Sequence, residues 1–193
     1  KITQDMKDAG VEEIGVFYFG ESFMNPDLLV KSIKHCKDIG IPYVFLTSNA
    51  SLAKPKIVEK CFQAGLSSLK WSMNASDEEQ FSKMMGVKPK LFHKALSHIK
   101  DAFLIRNANG YKTKLYSSSI KYDGEQHEKM EALLNEKVRP YVDEHYWLPL
   151  YHMGQYKNIR EKTGYTPTHG NMGRIDNATG LPNRNPLPCW SVF

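Results

Sequence analysis

Hydrophobic positions along the chain follow two alternating patterns, short apolar runs and longer stretches with helical spacing. Short apolar runs bounded by turn residues are typical of buried strands, whereas apolar positions at i, i+3 and i+4 are typical of helices. The pattern predicts strands at residues 14–19, 42–47, 66–73, 113–120 and 144–150. It predicts helices at residues 2–9, 27–39, 55–64, from 76 onward, 90–104 and 125–137. Asn25 and Pro26 are expected to cap the second helix, and Ser76 and Glu79 to form a capping box for the fourth.

The order of these elements predicts the fold class. Strands that alternate with helices through short connections indicate an α/β fold with a parallel sheet and right-handed crossovers. The strands carry apolar residues on both faces, as expected where helices cover them. From about residue 154 the pattern stops, and residues 154–188, rich in Gly, Pro, Asn and Thr, are expected to form an extended connection.

Polar residues occur where the predicted strands end, and ligands of parallel α/β proteins bind at that edge. The first strand is followed by Gly20 and Glu21, the second ends in residues 47–50 (TSNA), and the fourth contains residues 117–119 (SSS). A polar turn explains either of the first two without a ligand. Together, the strand ends predict a site for a polar small molecule.

The third predicted strand has one polar face. Alternation along a strand places Leu69, Trp71 and Met73 on one side. The opposite side carries Lys70, Ser72 and Asn74. An open sheet edge could explain that polar side, but the strand has neighbours before and after it in the chain. We therefore expect this side to line a wet cavity.

Composition excludes several classes of protein. The net charge is +5 and the pI about 9.0, but the 26 Lys and Arg residues form no cluster, so we predict no nucleic-acid partner. No apolar run reaches the about 18 residues of a membrane span. The three cysteines, Cys36, Cys61 and Cys189, form no disulfide framework, which together with the lack of a signal peptide predicts a cytoplasmic protein. Metal-binding His pairs, phosphate loops and the Gly-x-Ser-x-Gly elbow are absent from the sequence.

Four segments, in order, resemble motifs of the radical S-adenosylmethionine (radical SAM) superfamily. Residues 19–28 (FGESFMNPDL) resemble its Gly-Gly-Glu-Pro segment, and residues 46–52 (LTSNASL) are similar to its Thr-Asn-Gly segment. Residues 71–86, beginning WSMNASDE, resemble its Ser-Ile-Asp-Gly strand end and the following helix. Pro188-Cys189-Trp190 resembles the start of a SPASM or twitch domain, which carries auxiliary iron–sulfur clusters.

The resemblance implies a role for individual residues. Gly20, Glu21 and the backbone at Phe19 would receive the methionyl ammonium of SAM, and Ser72 and Asn74 would contact its carboxylate and ribose. Asn49 and Ser118 would line the cavity, and Leu150 would lie near the adenine. Cys189 would ligate an auxiliary [4Fe-4S] cluster. Three positions depart from the family pattern: Phe19 replaces Gly, Ser22 replaces Pro, and Asn74 replaces an acid.

The resemblance also implies a partial (βα)6-type barrel of which this chain holds strands two to six. The family's Cys-x-x-x-Cys-x-x-Cys, which holds the catalytic [4Fe-4S] cluster, does not occur in the sequence. Residues 1–153 are therefore expected to be a radical SAM barrel lacking its first βα unit. Residues 154–193 are expected to be a linker leading into a truncated SPASM or twitch domain.

The implied function is that of a radical SAM enzyme. In the intact protein, SAM and the cluster would generate a 5′-deoxyadenosyl radical that abstracts hydrogen from a peptide or small-molecule substrate. An electron donor such as ferredoxin or flavodoxin would be a partner, and this fragment would be inactive alone. Two alternatives stay open, a non-catalytic partial-barrel binding module and a non-radical sugar- or phosphate-handling α/β-barrel enzyme.

Overall fold

The structure, a computed structural model, describes residues 1–17, 20–122, 124–148, 169–170 and 173–174. One sheet contains five strands in chain order. These strands are β1 (Glu13–Gly15), β2 (Tyr43–Ser48), β3 (Ser68–Ser72), β4 (Lys114–Ile120) and β5 (Glu144–Leu148). Both β1 and β3 pair with β2 in parallel. The predicted α/β fold with a parallel sheet is confirmed.

Helices separate the strands along the chain. They are α1 (Ile2–Asp8), α2 (Pro26–Asp38), α3 (Pro55–Gln63), α4 (Glu78–Met85), α5 (Lys90–Asn109) and α6 (Gly124–Leu133). Short 3-10 turns at Ser22–Met24 and Arg139–Tyr141 and a π-helical turn at Leu134–Val138 complete these connections. None of the helices in the described ranges is long and apolar enough to cross a membrane.

Helix starts follow from capping side chains. Asn25 Oδ1 accepts from the N–H of Leu28 at 3.2 Å and Pro26 occupies the first position of α2, as predicted from the Asn-Pro pair. The predicted capping box at Ser76 and Glu79 is wrong. Asp77 caps α4 instead, one residue later, and its carboxylate accepts from the N–H of Gln80 at 2.8 Å.

The chain divides into two compact units. Unit 1 consists of Lys1–Ser72, His93–Ser117 and Lys137–His145, and unit 2 of Met73–Phe92, Ser118–Glu136 and the chain from Tyr146. In unit 1, alternate strand residues are fully buried together with apolar residues of the helices. They include Val44, Leu46, Leu69, Trp71, Leu115, Ile33, Val58, Ile99 and Ala102.

Unit 2 has its own buried apolar residues. Phe81 of α4 packs against Phe92 of α5 with ring centroids 5.7 Å apart, and Met73, Met130 and Leu134 are also buried. Aromatic pairs at this separation contribute about 1 kcal/mol beyond their buried area. Each unit therefore has buried apolar residues of its own.

The described residues between 154 and 188 form a small antiparallel pair. Strand β6 (His169–Gly170) pairs with β7 (Gly173–Arg174), with His169 opposite Arg174. The extended connection predicted for this stretch thus contains one short hairpin. The domain assignment of residues 154–193 stays a prediction, and Cys189 lies outside the described residues.

Candidate functional site

Glu21 is the centre of the polar cluster in unit 1. Its Oε1 accepts from Ser48 Oγ at 2.6 Å and from the Phe23 N–H at 3.2 Å, and its Oε2 accepts from the Asn49 N–H at 3.0 Å. Ser48 is the last residue of β2, so the carboxylate lies at the carboxyl edge of the sheet. A carboxylate has about four acceptor positions, and these donors take three of them.

Gly20 precedes this carboxylate and has a backbone that a side chain would strain. Its φ is +93°, and a Cβ at this position would meet no atom within 4 Å. Glycine adopts this conformation without a steric penalty. Open space beside the backbone next to Glu21 allows a ligand to approach closely. Phe19, predicted to contribute its backbone, lies outside the described residues.

The turn after β2 positions the donors to Glu21. Asn49 Oδ1 accepts from the Ser51 N–H at 2.9 Å, an Asx turn, and Ser48 Oγ accepts from the Ala50 N–H at 3.0 Å. Ala50 has φ +63°, a left-handed conformation rare for alanine. His98 Nδ1 lies 2.7 Å from the Ala50 carbonyl oxygen, which holds the turn from α5. Ser48 belongs to the polar strand end predicted from the sequence, whereas nothing in the sequence indicates His98, whose partner lies 48 residues away.

The predicted alternation of β3 is present in the structure. Leu69 and Trp71 are fully buried, whereas Lys70 and Ser72 on the opposite face are half-buried. Burial lowers the pKa of the Lys70 ammonium below its usual range. The polar face of β3 therefore holds a cation that water solvates incompletely.

In unit 2 the structure places Asn74 beside the end of β4. Its Oδ1 accepts from the Ile120 N–H at 3.0 Å, and the Met73 N–H donates to the Ser118 carbonyl at 2.9 Å. Ser119 Oγ donates to the Met73 carbonyl. Asn74 is half-buried, and Ser118 is buried. The strand ends that carry these two predicted site residues are thus tied together by hydrogen bonds.

Unit 2 also contains a buried amide pair that the sequence analysis missed. Gln126 Nε2 donates to Gln80 Oε1 at 2.9 Å, and the Ser76 N–H donates to the same oxygen at 2.7 Å. Both glutamines are buried. Their positions on α4 and α6 have ordinary polar character in the sequence, so only the folded arrangement reveals the pair.

Unit 1 brings Gly20, Glu21 and Asn49 together, and it also contains Ser72; Asn74 and Ser118 come together in unit 2. Leu150 and Cys189, like Phe19, lie outside the described residues. The binding roles of these residues stay predictions.

Within the described ranges, no group of three or more His, Cys, Asp or Glu side chains could hold a metal ion. Cys36 and Cys61 are buried, and burial raises the pKa of both thiols, that of Cys61 to about 12. These two cysteines fit a packing role and do not fit the ligand set of an iron–sulfur cluster.

Solved structures share the fold of this chain. A pyruvate-formate lyase-activating enzyme domain from Bacteroides vulgatus ATCC 8482 matches with a TM-score of 0.51 and 14% identity, over 78% of this chain and 89% of that one. Streptococcus suis SuiB bound to S-adenosylmethionine matches with a TM-score of 0.60 and 18% identity, over 87% of this chain. This chain spans 35% of the length of SuiB.

A different class of protein shares the fold as well. The enzyme 2,3-dimethylmalate lyase, a member of the PEP mutase/isocitrate lyase superfamily, matches with a TM-score of 0.53 and 9% identity, over 82% of this chain and 56% of that one. No family model and no curated protein matches the sequence. At these identities the likeness establishes the fold alone, a parallel α/β arrangement.

Proposed function

We propose that this chain is the SAM-binding core of a radical SAM enzyme. The observation that carries the proposal is the Glu21 carboxylate, held by Ser48, Asn49 and Phe23 beside the open backbone of Gly20. The neighbour crystallised with SAM supports it through the shared fold.

The cluster around Glu21 fits an ammonium group. Three protein donors fix the carboxylate, so little side-chain entropy is lost when a ligand binds. One of its about four acceptor positions is left for a charge-assisted hydrogen bond from the methionyl ammonium. Within unit 1, Asn49 would lie beside the ligand, and Ser72 would make a further contact that the resemblance implies.

SAM, when bound and reduced at a [4Fe-4S] cluster, supplies the 5′-deoxyadenosyl radical that abstracts hydrogen in this superfamily. The described residues do not provide ligands for such a cluster. This chain's own contribution is binding and orientation: Glu21 holds the ammonium, and the Asx turn at Asn49 keeps Glu21 in place. Peptides or small molecules are the proposed substrates, and ferredoxin or flavodoxin the proposed electron donor.

Calorimetric titration of the chain with SAM tests the proposal. We expect binding, and we expect Glu21→Gln to weaken it roughly 10-fold, because a hydrogen bond between two charged groups contributes about 1.5–3 kcal/mol. Glu12→Gln is the matched control, since the Glu12 side chain is exposed. Absence of SAM binding, or equal affinity in Glu21→Gln, would contradict the proposal.

A second experiment tests the proposed inactivity of this chain alone. After anaerobic reconstitution with iron and sulfide, the chain should produce no 5′-deoxyadenosine from SAM, since its three cysteines do not form the Cys-x-x-x-Cys-x-x-Cys that holds the catalytic cluster in the superfamily. Formation of 5′-deoxyadenosine by the chain would contradict this part of the proposal.

The alternative function is that of a non-radical α/β-barrel enzyme acting on a sugar or a phosphate compound. The likeness to 2,3-dimethylmalate lyase supports it through the fold. This function requires no SAM, so the same titration separates the two proposals.

A further inference from the structure

Three hydrogen-bond donors lie in a row across the half-buried face of unit 1. Strand β2 pairs with β3 so that Thr47 is the partner of Lys70. The Lys114 N–H donates to the Ser67 carbonyl at 2.9 Å, and in a parallel ladder this register places Tyr116 beside Lys70 on its other side. Because partners in a parallel sheet point to the same face, the side chains of Thr47, Lys70 and Tyr116 share one level.

The burial of these residues agrees with this placement. All three are half-buried, whereas their neighbours Leu46, Leu69 and Leu115 are fully buried on the opposite face. Thr47 Oγ1 is buried and has no hydrogen-bond partner among the described residues. A buried hydroxyl without a partner costs free energy that a ligand's acceptor would recover.

Charged groups of both signs lie around this level. Burial lowers the pKa of the Lys70 ammonium, because this group is partly removed from water. Burial, followed by the charges of Tyr43, Glu144 and Asp143, raises the pKa of Tyr116, which keeps its phenol protonated. The row thus presents an ammonium and two hydroxyl groups.

Below this row, towards the amino ends of the strands, the same face is aromatic. The rings of Phe17 and Phe45 meet edge to face with their centroids 5.6 Å apart. The ring centroids of Tyr43 and Phe45 are 6.1 Å apart. Glycine at position 15 leaves room for this packing of the two rings, since a Cβ there would lie 2.8 Å from Phe17 Cε1 and 3.0 Å from Phe45 Cζ. Phe45 is two residues before Thr47, a distance of about 6.6 Å along a strand.

We propose that this face binds a substrate with a carboxylate joined to an apolar or aromatic body, with Lys70, Thr47 and Tyr116 holding the carboxylate and Phe17 and Phe45 contacting the body. A carboxylate suits the row, because its about four acceptor positions match one ammonium and two hydroxyl donors. The proposal rests on the proposed function, since it names the substrate class of the same barrel.

Ligand-observed NMR with 3-phenylpropionate, compared with neutral 3-phenylpropionamide, tests the proposal on the whole chain. We expect the acid to bind at least 10-fold more tightly than the amide. Lys70→Met should weaken the acid at least 10-fold, and Lys70→Arg should stay within about threefold. The exposed Lys94 of α5 provides the matched control Lys94→Met, which should bind as the natural chain does.

Two further variants keep the proposal testable if Lys70→Met does not fold. Thr47→Val and Tyr116→Phe each remove one hydroxyl with little change in volume, and each should weaken the acid about threefold. Equal binding of acid and amide, binding of neither by the natural chain, or unchanged affinity in both hydroxyl variants would overturn the proposal.

SAM titration on the same samples separates this proposal from the proposed function. Acid binding without SAM binding would overturn the radical SAM proposal and support the carboxylate site. SAM binding without acid binding would overturn the carboxylate site alone.

Discussion

The hydroxyl of Ser48 donates to Glu21 Oε1 at 2.6 Å and joins two segments 27 residues apart. The same oxygen of Ser48 accepts from the Ala50 N–H. One side chain therefore fixes both the carboxylate and the turn beside it, so the shape of the candidate SAM site depends on the end of β2.

Replacement of Ser48 by Ala should weaken SAM binding about 10-fold, because Glu21 loses a hydrogen bond worth about 1.5 kcal/mol to a charged group. Calorimetric titration measures the change. The matched control is Ser97→Ala, whose hydroxyl is exposed and bonds only Asp101 in the described chain. SAM affinity in Ser48→Ala equal to that of the control would contradict the prediction.

Substitutions at Ala50 should separate backbone strain from side-chain size. Ala50 is fully buried with φ +63°, a conformation in which a β-branched residue is an outlier. We expect Ala50→Val to lower the free energy of unfolding by about 2–3 kcal/mol, from strain and overpacking together. Ala50→Gly should stay within about 1 kcal/mol of the natural chain, since relief of strain offsets the lost methyl group. Urea titration measures both, and equal stability of the Val and Gly variants would rule out the strain.

Asp143 should make stability depend on acid pH. Its Oδ2 accepts from Arg106 at 2.6 Å and from the Leu115 N–H at 2.8 Å. Burial alone would raise the pKa of Asp143, but these hydrogen bonds and the charges of Arg106 and Lys114 hold it below its usual range. A lowered folded-state pKa means that the stabilisation is complete above about pH 4 and is lost as the pH falls through the folded-state pKa.

The variant Asp143→Asn tests this linkage. Its free energy of unfolding should be lower at pH 7 and should fall less between about pH 4 and pH 2 than that of the natural chain. Asp38→Asn, which removes the exposed pair with Lys34, should follow the natural profile closely. Parallel pH profiles for Asp143→Asn and the natural chain would refute the assigned role of Asp143.

Cys61 should resist alkylation in the folded chain. Burial raises its pKa to about 12, so at pH 8 roughly one thiol in ten thousand is a reactive thiolate. Iodoacetamide followed by mass spectrometry should modify Cys61 slowly under native conditions and rapidly in urea. Rapid native labelling would show that the core around Cys61 opens readily.

The sequence was informative where neighbouring residues decide the structure. The apolar runs predicted all five strands, with β2 and β4 displaced by one residue at most, because buried parallel strands are apolar on both faces. The two-faced character of β3 followed from alternation alone. Glu21 was found because it follows a strand end, and Asn25 because Asn-Pro begins helices.

Features that depend on strand register could not be predicted. To predict the row of Thr47, Lys70 and Tyr116, one must know which residues of neighbouring strands are paired. A shift of this pairing by one residue would move every side chain to the opposite face of the sheet. The cap of α4 was assigned wrongly since Ser76 and Asp77 are both good capping residues. The Gln80 and Gln126 pair joins residues 46 apart, and nothing near either residue indicates the other.

Gly15 has a consequence for related chains that share this face. The absent methyl group leaves the room in which the Phe17 and Phe45 rings lie against β1. Alanine at position 15 would push these rings away from the strand, and we expect the distance between the rings and Lys70 to change with them. The size of residue 15 would then determine how long a carboxylate-bearing molecule each related protein accepts.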